Sequence, residues 1–580
     1  MFNLIRFIKR YWFVALLGPL FMLLEVCMDL LQPKLMASIV NEGVSSGNLN
    51  HIANTGAQML IVALIGLLGG IGCTVFSVIA SQKFGADLRQ ELFEKVQSFS
   101  IRSLDRFDSG SIVTRLTGDI VQLQNFVLTV LRMFPRQSFQ LIGSLIMAFI
   151  ISPRLSMILL AMLPLLILFL VFTTRLMIPV YGNVQEKLDR VNTTMQENLA
   201  GIRVVKAFVR NDHEEKGFDN SNTNFLKASL KAAKIVAINT PLISLILNFS
   251  VVAALWYGGI LSRAGTLSVG DLAAFLTYIS QLLFATLGLG NQLMTLSRAK
   301  ASADRVNEIL DYIPDSTEET ELIAKPKPLL SGSEKVKGRL EFRNVTFSYD
   351  GNPENAVLRD INFTAEPGQT IGIIGTNGSG KSTLVSLIPR FYEVTKGEII
   401  LDSNNINELE PELLHKQVGM VLQQALLFSG TIMENIRYGL PEASKEEVES
   451  AAKQAQAHDF IMRLPLGYET VLGQRGVNLS GGQKQRISIA RTLLLQPRIV
   501  ILDDCTSAVD LNTDLRIRQS LQYAMKESTC IIIGQRIASI EHADIILVLE
   551  DGYITAQGTH QTLFQTSSLY REIALSQQGA

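Results

Sequence analysis

One segment of the chain has the residue types and spacing of a phosphate-binding loop: Gly375, Thr376, Asn377, Gly378, Ser379, Gly380, Lys381 and Ser382. An apolar run at 370–374 precedes it and a helix-like stretch follows, which is the strand-loop-helix context that such a loop needs. Its glycines let backbone N–H groups point inward, and the helix start presents its positive dipole end to a phosphate. The segment predicts nucleotide binding.

Three side chains at the end of this loop have separate expected roles. Lys381 reaches the β- and γ-phosphates, Ser382 offers its hydroxyl to Mg²⁺, and Thr383 adds a contact nearer the α-phosphate. The alternative is a flexible glycine-rich loop that binds no ligand. Motifs further along the chain disfavour that alternative.

These motifs are Gln423 ahead of the run 425–428, the segment 479–483, an apolar strand at 499–502 that ends in Asp503 and Asp504, and the turn 507–510. In this order they resemble the motifs of ATP-binding-cassette (ABC) transporters, more narrowly a half-transporter whose membrane domain precedes its nucleotide-binding domain. The resemblance covers essentially the whole chain. It extends to the degenerate-site subunits of bacterial heterodimeric multidrug exporters.

The resemblance implies a role for each motif, with ATP and Mg²⁺ as cofactors. Tyr349 stacks on adenine, although it is alternatively a strand-end aromatic residue without a ligand. Asp503 holds Mg²⁺ together with Ser382 and Gln423, and Gln423 also orients the attacking water. The signature segment 479–483 closes on the ATP of a second subunit, through Ser480, Gly481, Gly482 and Gln483.

Two positions depart from the family pattern. Asp504 stands where the family has the Glu that polarises the water, and Gln535 where it has a His facing the γ-phosphate. A carboxylate shorter by one methylene is misplaced by roughly an ångström, which costs on the order of 10²-fold in rate. Gln535 donates a hydrogen bond but does not titrate near pH 7. We expect an ATP-hydrolysing translocase whose own catalytic residues, Asp504, Gln535 and Gln423, work slowly; harmless variation in a working site is the alternative.

Apolar residues make up 47% of the whole 580-residue chain. Its front half contains six apolar stretches long enough to cross ~30 Å of hydrocarbon, at 12–33, 56–80, 133–152, 155–178, 236–261 and 272–296. Lys and Arg are concentrated before the first stretch and within 81–127 and 181–235. Because cytoplasmic flanks collect these residues, both termini are expected in the cytoplasm. We expect a multi-pass protein of a bacterial inner or plasma membrane.

The expected fold is an α-helical six-span transmembrane domain with long cytoplasmic helix extensions, fused to an α/β P-loop ATP-binding-cassette domain. The predicted limits are 1–310 for the transmembrane domain, 311–338 for a linker rich in Pro, Lys, Glu and Ser, and 339–580 for the nucleotide-binding domain. The resemblance also places short transverse helices, which dock on nucleotide-binding domains, near 109–119 and 208–215.

Because each ATP of this family lies between two nucleotide-binding domains, a chain with one such domain needs a second subunit. We expect a heterodimer whose partner supplies the missing Glu and His, with a homodimer of two weak sites as the alternative. The expected cargo is an amphipathic drug or lipid-like compound taken from the lipid bilayer. Export of a peptide or lipid precursor, and a nucleotide-gated regulatory membrane protein, are the competing hypotheses. A net charge of −1 disfavours a nucleic-acid partner.

Two acidic residues of the first span are candidates for the substrate site. Glu25 and Asp29 lie four residues apart and share one helix face. Since acidic groups at membrane depth face a cavity or a partner, they either attract cationic amphiphiles or pair with bases such as Arg132 and Arg136. The sequence does not decide between these, nor does it show the effect of Gln474, which stands where exporters often have Glu.

Overall fold

A computed structural model describes residues 4–313, 336–505, 515–517, 519–521 and 526–578. The predicted turn 507–510 and most of the predicted linker lie outside the described residues. The described chain forms two compact units. The first contains the residues up to Ser98 and Asp108–Tyr312, and the second contains Phe99–Phe107 and the residues from Ile313 onward. The limits 1–310, 311–338 and 339–580 stay a prediction.

The first eleven helices are α1 Ile5–Lys9, α2 Trp12–Ser38, α3 Leu49–Gln97, α4 Ile101–Arg106, α5 Ser109–Thr114, α6 Ile120–Leu128, α7 Phe134–Ile151, α8 Pro153–Ala200, α9 Ile202–Ala207, α10 Asn211–Arg263 and α11 Val269–Leu310. All except α4 belong to the first unit. Within the described residues, six helical segments are long and apolar enough to cross a membrane: α2, α3, the run from α5 to α7, α8, α10 and α11. The six-span helical region is confirmed.

Several of these helices continue well beyond the length that hydrocarbon requires. Helices α3, α8 and α10 contain 49, 48 and 53 residues, whereas ~20 suffice to span. In the extension of α3, Leu88 and Leu92 are fully buried. In that of α8, Val191 is buried but Met195 is exposed. The extension of α3 therefore packs two apolar residues completely, whereas that of α8 leaves one of the two exposed.

The two separate short helices lie earlier than the predicted transverse helices. Residues 109–119 form the start of the third spanning segment, because α5 continues through a wide helical turn, Arg115–Asp119, into α6. The separate helices are α4 and α9. Ser100 caps the start of α4 and Phe107 ends it in an extended conformation, while Val209 at φ 53° interrupts the chain after α9. The helix ends are set by caps and backbone dihedrals, which apolar patterns do not reveal.

Close helix packing and a buried ion pair hold the first unit together. A Cβ atom on Gly69 of α3 would lie 3.0 Å from the Glu25 backbone nitrogen, so a larger residue would force α3 away from α2. Farther along, buried Asp119 accepts hydrogen bonds from Ser302 Oγ and Arg305 Nε, both at 2.8 Å. This pair joins the third spanning segment to α11.

The strands of the second unit are β1 Leu340–Phe347, β2 Leu358–Ala365, β3 Thr370–Gly375, β4 Lys396–Leu401, β5 Asn404–Asn405, β6 Val418–Val421, β7 Gly430–Thr431, β8 Val471–Leu472, β9 Ile499–Asp503, β10 Thr529–Ile533, β11 Ile545–Glu550 and β12 Tyr553–Gly558. They form a four-stranded sheet in the order β2-β1-β4-β5, a six-stranded sheet in the order β12-β11-β3-β10-β9-β6, and the pair β7-β8. The apolar residues of β1, Leu340, Phe342, Val345 and Phe347, are all buried.

Besides α4, this unit contains the helices α12 Lys381–Ser386, α13 Pro411–Gln417, α14 Ile432–Arg437, α15 Lys445–Gln454, α16 His458–Met462, α17 Gly481–Leu494, α18 His560–Thr566 and α19 Ser568–Gln578. Strands β3, β10, β9 and β6 are neighbours and run parallel. The segments that follow them therefore meet at one edge of the sheet, which is where open α/β sheets bind ligands. The second unit is the expected α/β domain.

Candidate nucleotide site

The phosphate loop joins the end of β3 to the start of α12. Gly378 and Gly380 have φ values of 83° and 97°, a left-handed conformation that disfavours a side chain. Gly375 is confined for a different reason, since a Cβ atom there would lie 2.0 Å from the Leu549 carbonyl oxygen. The glycines thus wrap the backbone tightly at the N-terminus of α12, as phosphate binding by N–H groups requires.

Two side chains of the loop fit a phosphate group. Among the described residues, Ser379 Oγ is buried and has no hydrogen-bond partner, so a phosphate oxygen would satisfy it. Lys381 Nζ donates to the carbonyl oxygens of Gly375 at 3.0 Å and Thr376 at 2.7 Å. Burial lowers the pKa of Lys381, and the nearby Asp503 and Asp504 oppose that shift. A triphosphate would supply this half-buried ammonium with further negative charge.

The end of β9 brings the predicted Mg²⁺ ligands together. Ser382 Oγ donates to Asp503 Oδ1 at 3.4 Å, and Asp503 is buried. Burial raises the pKa of Asp503, while the hydrogen bond from Ser382 and the charge of Lys381 oppose this. A hydroxyl and a carboxylate at this spacing fit Mg²⁺, which takes few protein oxygens and binds the rest of its shell from water and phosphate. When bound, Mg²⁺ neutralises charge on the β- and γ-phosphates.

The predicted hydrolytic residues Gln423 and Asp504 face each other. Gln423 follows β6, Asp504 follows β9, and Gln423 Nε2 donates to Asp504 Oδ2 at 3.4 Å. Asp504 lies at φ 44°, and its N–H donates to the Ile533 carbonyl oxygen at 3.2 Å. The backbone of Asp504 is therefore hydrogen-bonded to β10, and its side chain is one methylene shorter than the Glu expected at this position.

Gln535 follows β10 at the same edge of the sheet. The residue that binds its backbone, Gln577, was not predicted from the sequence. Gln577 of α19 donates through Nε2 to the Gln535 carbonyl oxygen at 2.8 Å, and its Oε1 accepts the Ile537 N–H at 2.8 Å. Tyr570 and Ala574 of the same helix are buried against Ile537. The C-terminal helix thus fixes the loop that faces the expected γ-phosphate position. Nothing near Gln577 in the sequence signals this role.

The loop after Gln423 is held by two further residues absent from the motifs. Asn435 pairs with the backbone of Phe428, accepting from its N–H at 2.9 Å and donating to its carbonyl oxygen at 2.8 Å. Arg491 donates to the Leu426 carbonyl oxygen at 3.1 Å, and its guanidinium lies over the Phe428 ring. Burial lowers the pKa of Arg491, which nevertheless stays charged. These contacts fix the position from which Gln423 projects.

The signature residues form the start of α17. Ser480 and Gln483 make a reciprocal capping box, in which the Ser480 N–H donates to Gln483 Oε1 at 2.9 Å and the Gln483 N–H to Ser480 Oγ at 3.4 Å. Gln483 therefore has a structural role within its own helix, and Gly481 and Gly482 form the first turn, where N–H groups lack intrahelical partners. Just before them, Arg475 lies at φ 55° and accepts a hydrogen bond from Lys484 Nζ through its carbonyl oxygen; the role of Gln474 stays open.

The expected adenine-stacking residue lies beside the phosphate loop. Tyr349 follows β1, is 47% exposed, and its Oη lies 3.0 Å from Thr383 Oγ1. Its ring meets Tyr392 edge-on, with 5.2 Å between the centroids. The structure therefore places the Tyr349 ring next to the phosphate-binding helix, as a residue that stacks on the base of a bound nucleotide would need to be.

In the first unit, the candidate substrate residues pair with a base. Arg136 Nη1 lies 3.4 Å from Glu25 Oε1, and its Nη2 lies 3.9 Å from Asp29 Oδ2. Of the two alternatives from the sequence, this geometry favours structural pairing. Separately, an apolar groove of about 860 Å³ is lined by residues of α7, α8 and α10, among them Phe149, Met157, Phe249 and Trp256, with Arg154 also in its wall.

These features define a membrane-embedded ATP-binding protein. They are a phosphate loop between a strand and a helix, an acidic pair at the end of a neighbouring strand, and six spanning helices in the same chain. Comparison with known families refines this class. Residues 15–287 match the family model described as ABC transporter transmembrane region, and residues 358–507 match that described as ABC transporter. The chain belongs to the ABC transporter family and is a multi-pass membrane protein.

Curated relatives cover nearly the full chain. An ABC transporter ATP-binding protein of Bacillus subtilis, YfiB, is 40% identical over 99% of this chain and 98% of its own length. A putative multidrug export ATP-binding/permease protein of the same organism, YgaD, is 33% identical over 98% of this chain and 97% of its own. An ATP-dependent lipid A-core flippase of Syntrophus aciditrophicus is 35% identical over 89% of this chain and 84% of its own. The chain is thus related to transporters named for drugs and for lipids.

Proposed function

We propose that this chain is one subunit of an ATP-driven exporter of amphipathic drugs or lipid-like compounds. It binds ATP and Mg²⁺ at the phosphate loop and hydrolyses that ATP slowly. Its signature segment 479–483 completes a second, competent ATP site whose phosphate loop belongs to the partner subunit. Binding of ATP draws the two nucleotide-binding domains together, and hydrolysis at the competent site resets them.

The observation that supports slow hydrolysis is the geometry around Asp504. Its backbone is tied to Ile533 and its carboxylate accepts from Gln423, so the group that should polarise a water is short and fixed. Misplacement of a catalytic group by about an ångström costs on the order of 10²-fold in rate. Gln535, at the end of the adjacent strand, supplies a neutral donor in place of an imidazole. Neither change touches Lys381 or Ser382, so ATP binding is retained.

The difference between the two halves of the site supports a heterodimer. The capping box of Ser480 and Gln483 is complete, so the half of a site that this chain contributes to a partner is intact. The half that binds this chain's own ATP contains both departures from the family pattern, Asp504 and Gln535. A partner with Glu and His at the matching positions gives one slow and one competent site; a homodimer gives two slow sites.

The proposed cargo class rests on the relatives and on the membrane region. Two relatives are named for multidrug export and for lipid A-core flipping, and both names describe amphipathic cargo. The apolar groove of about 860 Å³ has the size of a site for one such molecule. The distribution of Lys and Arg supports cytoplasmic termini, and the relative named for multidrug export supports outward transport.

The test is flux in reconstituted vesicles that contain the chain and a co-purified partner. A fluorescent lipid analogue and a cationic dye serve as two probes of amphipathic cargo. We expect ATP-dependent movement of at least one probe, which is lost when the partner's Glu is changed to Gln and retained with Asp504→Asn in this chain. Nucleotide-dependent conformational change without movement of either probe, in vesicles that hydrolyse ATP, would support a regulatory membrane protein instead.

A further inference from the structure

The short helix α4 packs on the adenine end of the nucleotide site. Although α4 lies between α3 and α5 in the sequence, Phe99–Phe107 forms one compact unit with the residues after Ile313. Asp105 Oδ2 accepts a hydrogen bond from Tyr392 Oη at 2.7 Å. A segment that is covalently continuous with the membrane helices at both ends therefore bonds directly to the nucleotide-binding domain.

Tyr392 in turn contacts the residue expected to stack on adenine. The rings of Tyr392 and Tyr349 are nearly perpendicular, at 87° with centroids 5.2 Å apart, and Phe347 adds a second edge contact to Tyr349 at 4.9 Å. Edge-to-face contacts of this kind restrict how a ring can turn. At its other end, the Tyr349 hydroxyl meets Thr383 on the phosphate-binding helix. The orientation of the Tyr349 ring is thus set by Tyr392, Phe347 and Thr383 together.

A second residue of α4 reaches the same place. Arg102 lies against the turn that follows Tyr349, since a Cβ atom on Gly351 would lie 3.2 Å from Arg102 Nη2. Residues three apart on a helix share one face, so one face of α4 contacts both Tyr392, through Asp105, and the turn at Gly351, through Arg102. Burial and the bond to Asp105 raise the pKa of Tyr392 well above its usual value. The phenol therefore keeps its proton and the bond persists at physiological pH.

We propose that Asp105 and Tyr392 are positioning residues for adenine: the Asp105–Tyr392 bond orients Tyr349, so that affinity for the base depends on where α4 sits. By thermodynamic reciprocity, a bound base restrains α4 to the same extent. Among the contacts of the described residues, Thr383 is where these side chains meet the phosphate-binding helix, so we expect recognition of the triphosphate not to depend on Asp105 or Tyr392. This inference rests on the proposed ATP binding with Tyr349 as the stacking residue, and not on slow hydrolysis or on the cargo.

The experiment measures dissociation constants of the purified full-length chain for MgATP and for magnesium tripolyphosphate, which lacks the base. Tyr392→Phe removes the hydroxyl and keeps the ring, and Asp105→Ala removes the acceptor. We expect each to weaken ATP binding by about threefold to tenfold, with tripolyphosphate binding unchanged. Because both variants delete the same bond, the double variant should lose no more than either single variant.

Tyr468→Phe is the matched control. It also deletes a hydroxyl from a buried tyrosine of the same unit, one that bonds to His458 Nδ1 at 2.9 Å, and it should leave both constants unchanged. The inference is overturned if Tyr392→Phe and Asp105→Ala leave ATP affinity intact, if they weaken both ligands equally, or if their effects add. Tyr349→Ala tests the stacking assignment on which the inference rests: if this variant binds ATP normally, that assignment fails as well. The flux assay tests the exporter function independently.

Discussion

The phosphate-binding end and the hydrolytic end of the nucleotide site differ although they lie at one edge of the same sheet. At the first end, Lys381, Ser379 and Ser382 have the chemistry and the surroundings that a triphosphate with Mg²⁺ needs. At the second, Asp504 is short and tied to a neighbouring strand, and Gln535 is neutral. Under the proposed function, binding and hydrolysis are separable, because different strand ends supply their residues.

The largest effect is expected at the phosphate-binding end. Lys381→Ala removes the half-buried ammonium from the loop, and we expect MgATP affinity to fall by about 10²-fold or more, as for truncation of a buried charge pair. Titration calorimetry of the full chain measures this. Lys396→Ala, at the exposed start of β4, is the matched loss of charge and should have no effect. Comparable losses in both variants would mean that general electrostatics, not the loop, governs binding.

Restoring the hydrolytic end should have the next largest effect. With Asp504→Glu and Gln535→His together, in a pair whose partner carries Gln in place of its own catalytic Glu, we expect about a 10²-fold gain in ATP turnover, with an unchanged dissociation constant for ATP. Each single change should give less, because the carboxylate and the imidazole act on one transition state. Steady-state phosphate release measures the rates. A double variant as slow as the unmodified chain would show that another part of the site limits hydrolysis.

A substitution in α19 is expected to have a smaller effect, which is confined to ATP turnover. In the restored double variant, Gln577→Ala removes both hydrogen bonds that hold the loop of Gln535. We expect about a tenfold loss of turnover from the looser position, and no loss of ATP affinity. Ser576→Ala is the control, since Ser576 bonds only to Ile573 of its own helix among the described contacts. If Gln577→Ala weakens ATP binding as much as it slows turnover, the helix serves the whole domain instead.

The smallest effect is expected in the turn behind Tyr349. Hydrogen bonds from Ser348, Asn355 and the Asn352 N–H lower the pKa of Asp350 to about 2. Because this pKa is depressed, the contribution of Asp350 is fully present above the ordinary range of aspartate and is lost only as the pH falls towards 2. Asp350→Ala should weaken ATP binding by about twofold, by the same ratio at every pH between 5 and 8. A ratio that changes across that interval would assign the effect to another group.

The predictable parts of this molecule are those encoded within short stretches of sequence. The phosphate loop, the strand before Asp503 and the six apolar helices each follow from a local pattern, and the structure has all of them. The short helices α4 and α9 were displaced in the prediction, because their ends depend on the Ser100 cap and on the Val209 backbone and not on apolar spacing.

The contacts that adjust the site were not predictable from the sequence. Tyr392 and Asp105 are 287 positions apart, and Gln577 and Gln535 are 42 apart. Pairs at such separations meet only because the sheet order and the packing of α4 and α19 bring them together. A side chain such as Gln577 looks like an ordinary surface residue in the sequence, since its partners are backbone atoms that no motif records.

The most direct test of the central claim is a measurement of ATPase activity in three samples. These are the chain alone, the chain with a co-expressed partner, and the same pair carrying Asp504→Glu. We predict that the chain alone is nearly inactive, that the partner restores turnover, and that this turnover is unchanged by Asp504→Glu because the competent site lies on the partner's phosphate loop. Brisk hydrolysis by the chain alone would contradict the account of Asp504 and Gln535, and would make a homodimeric pump the better description.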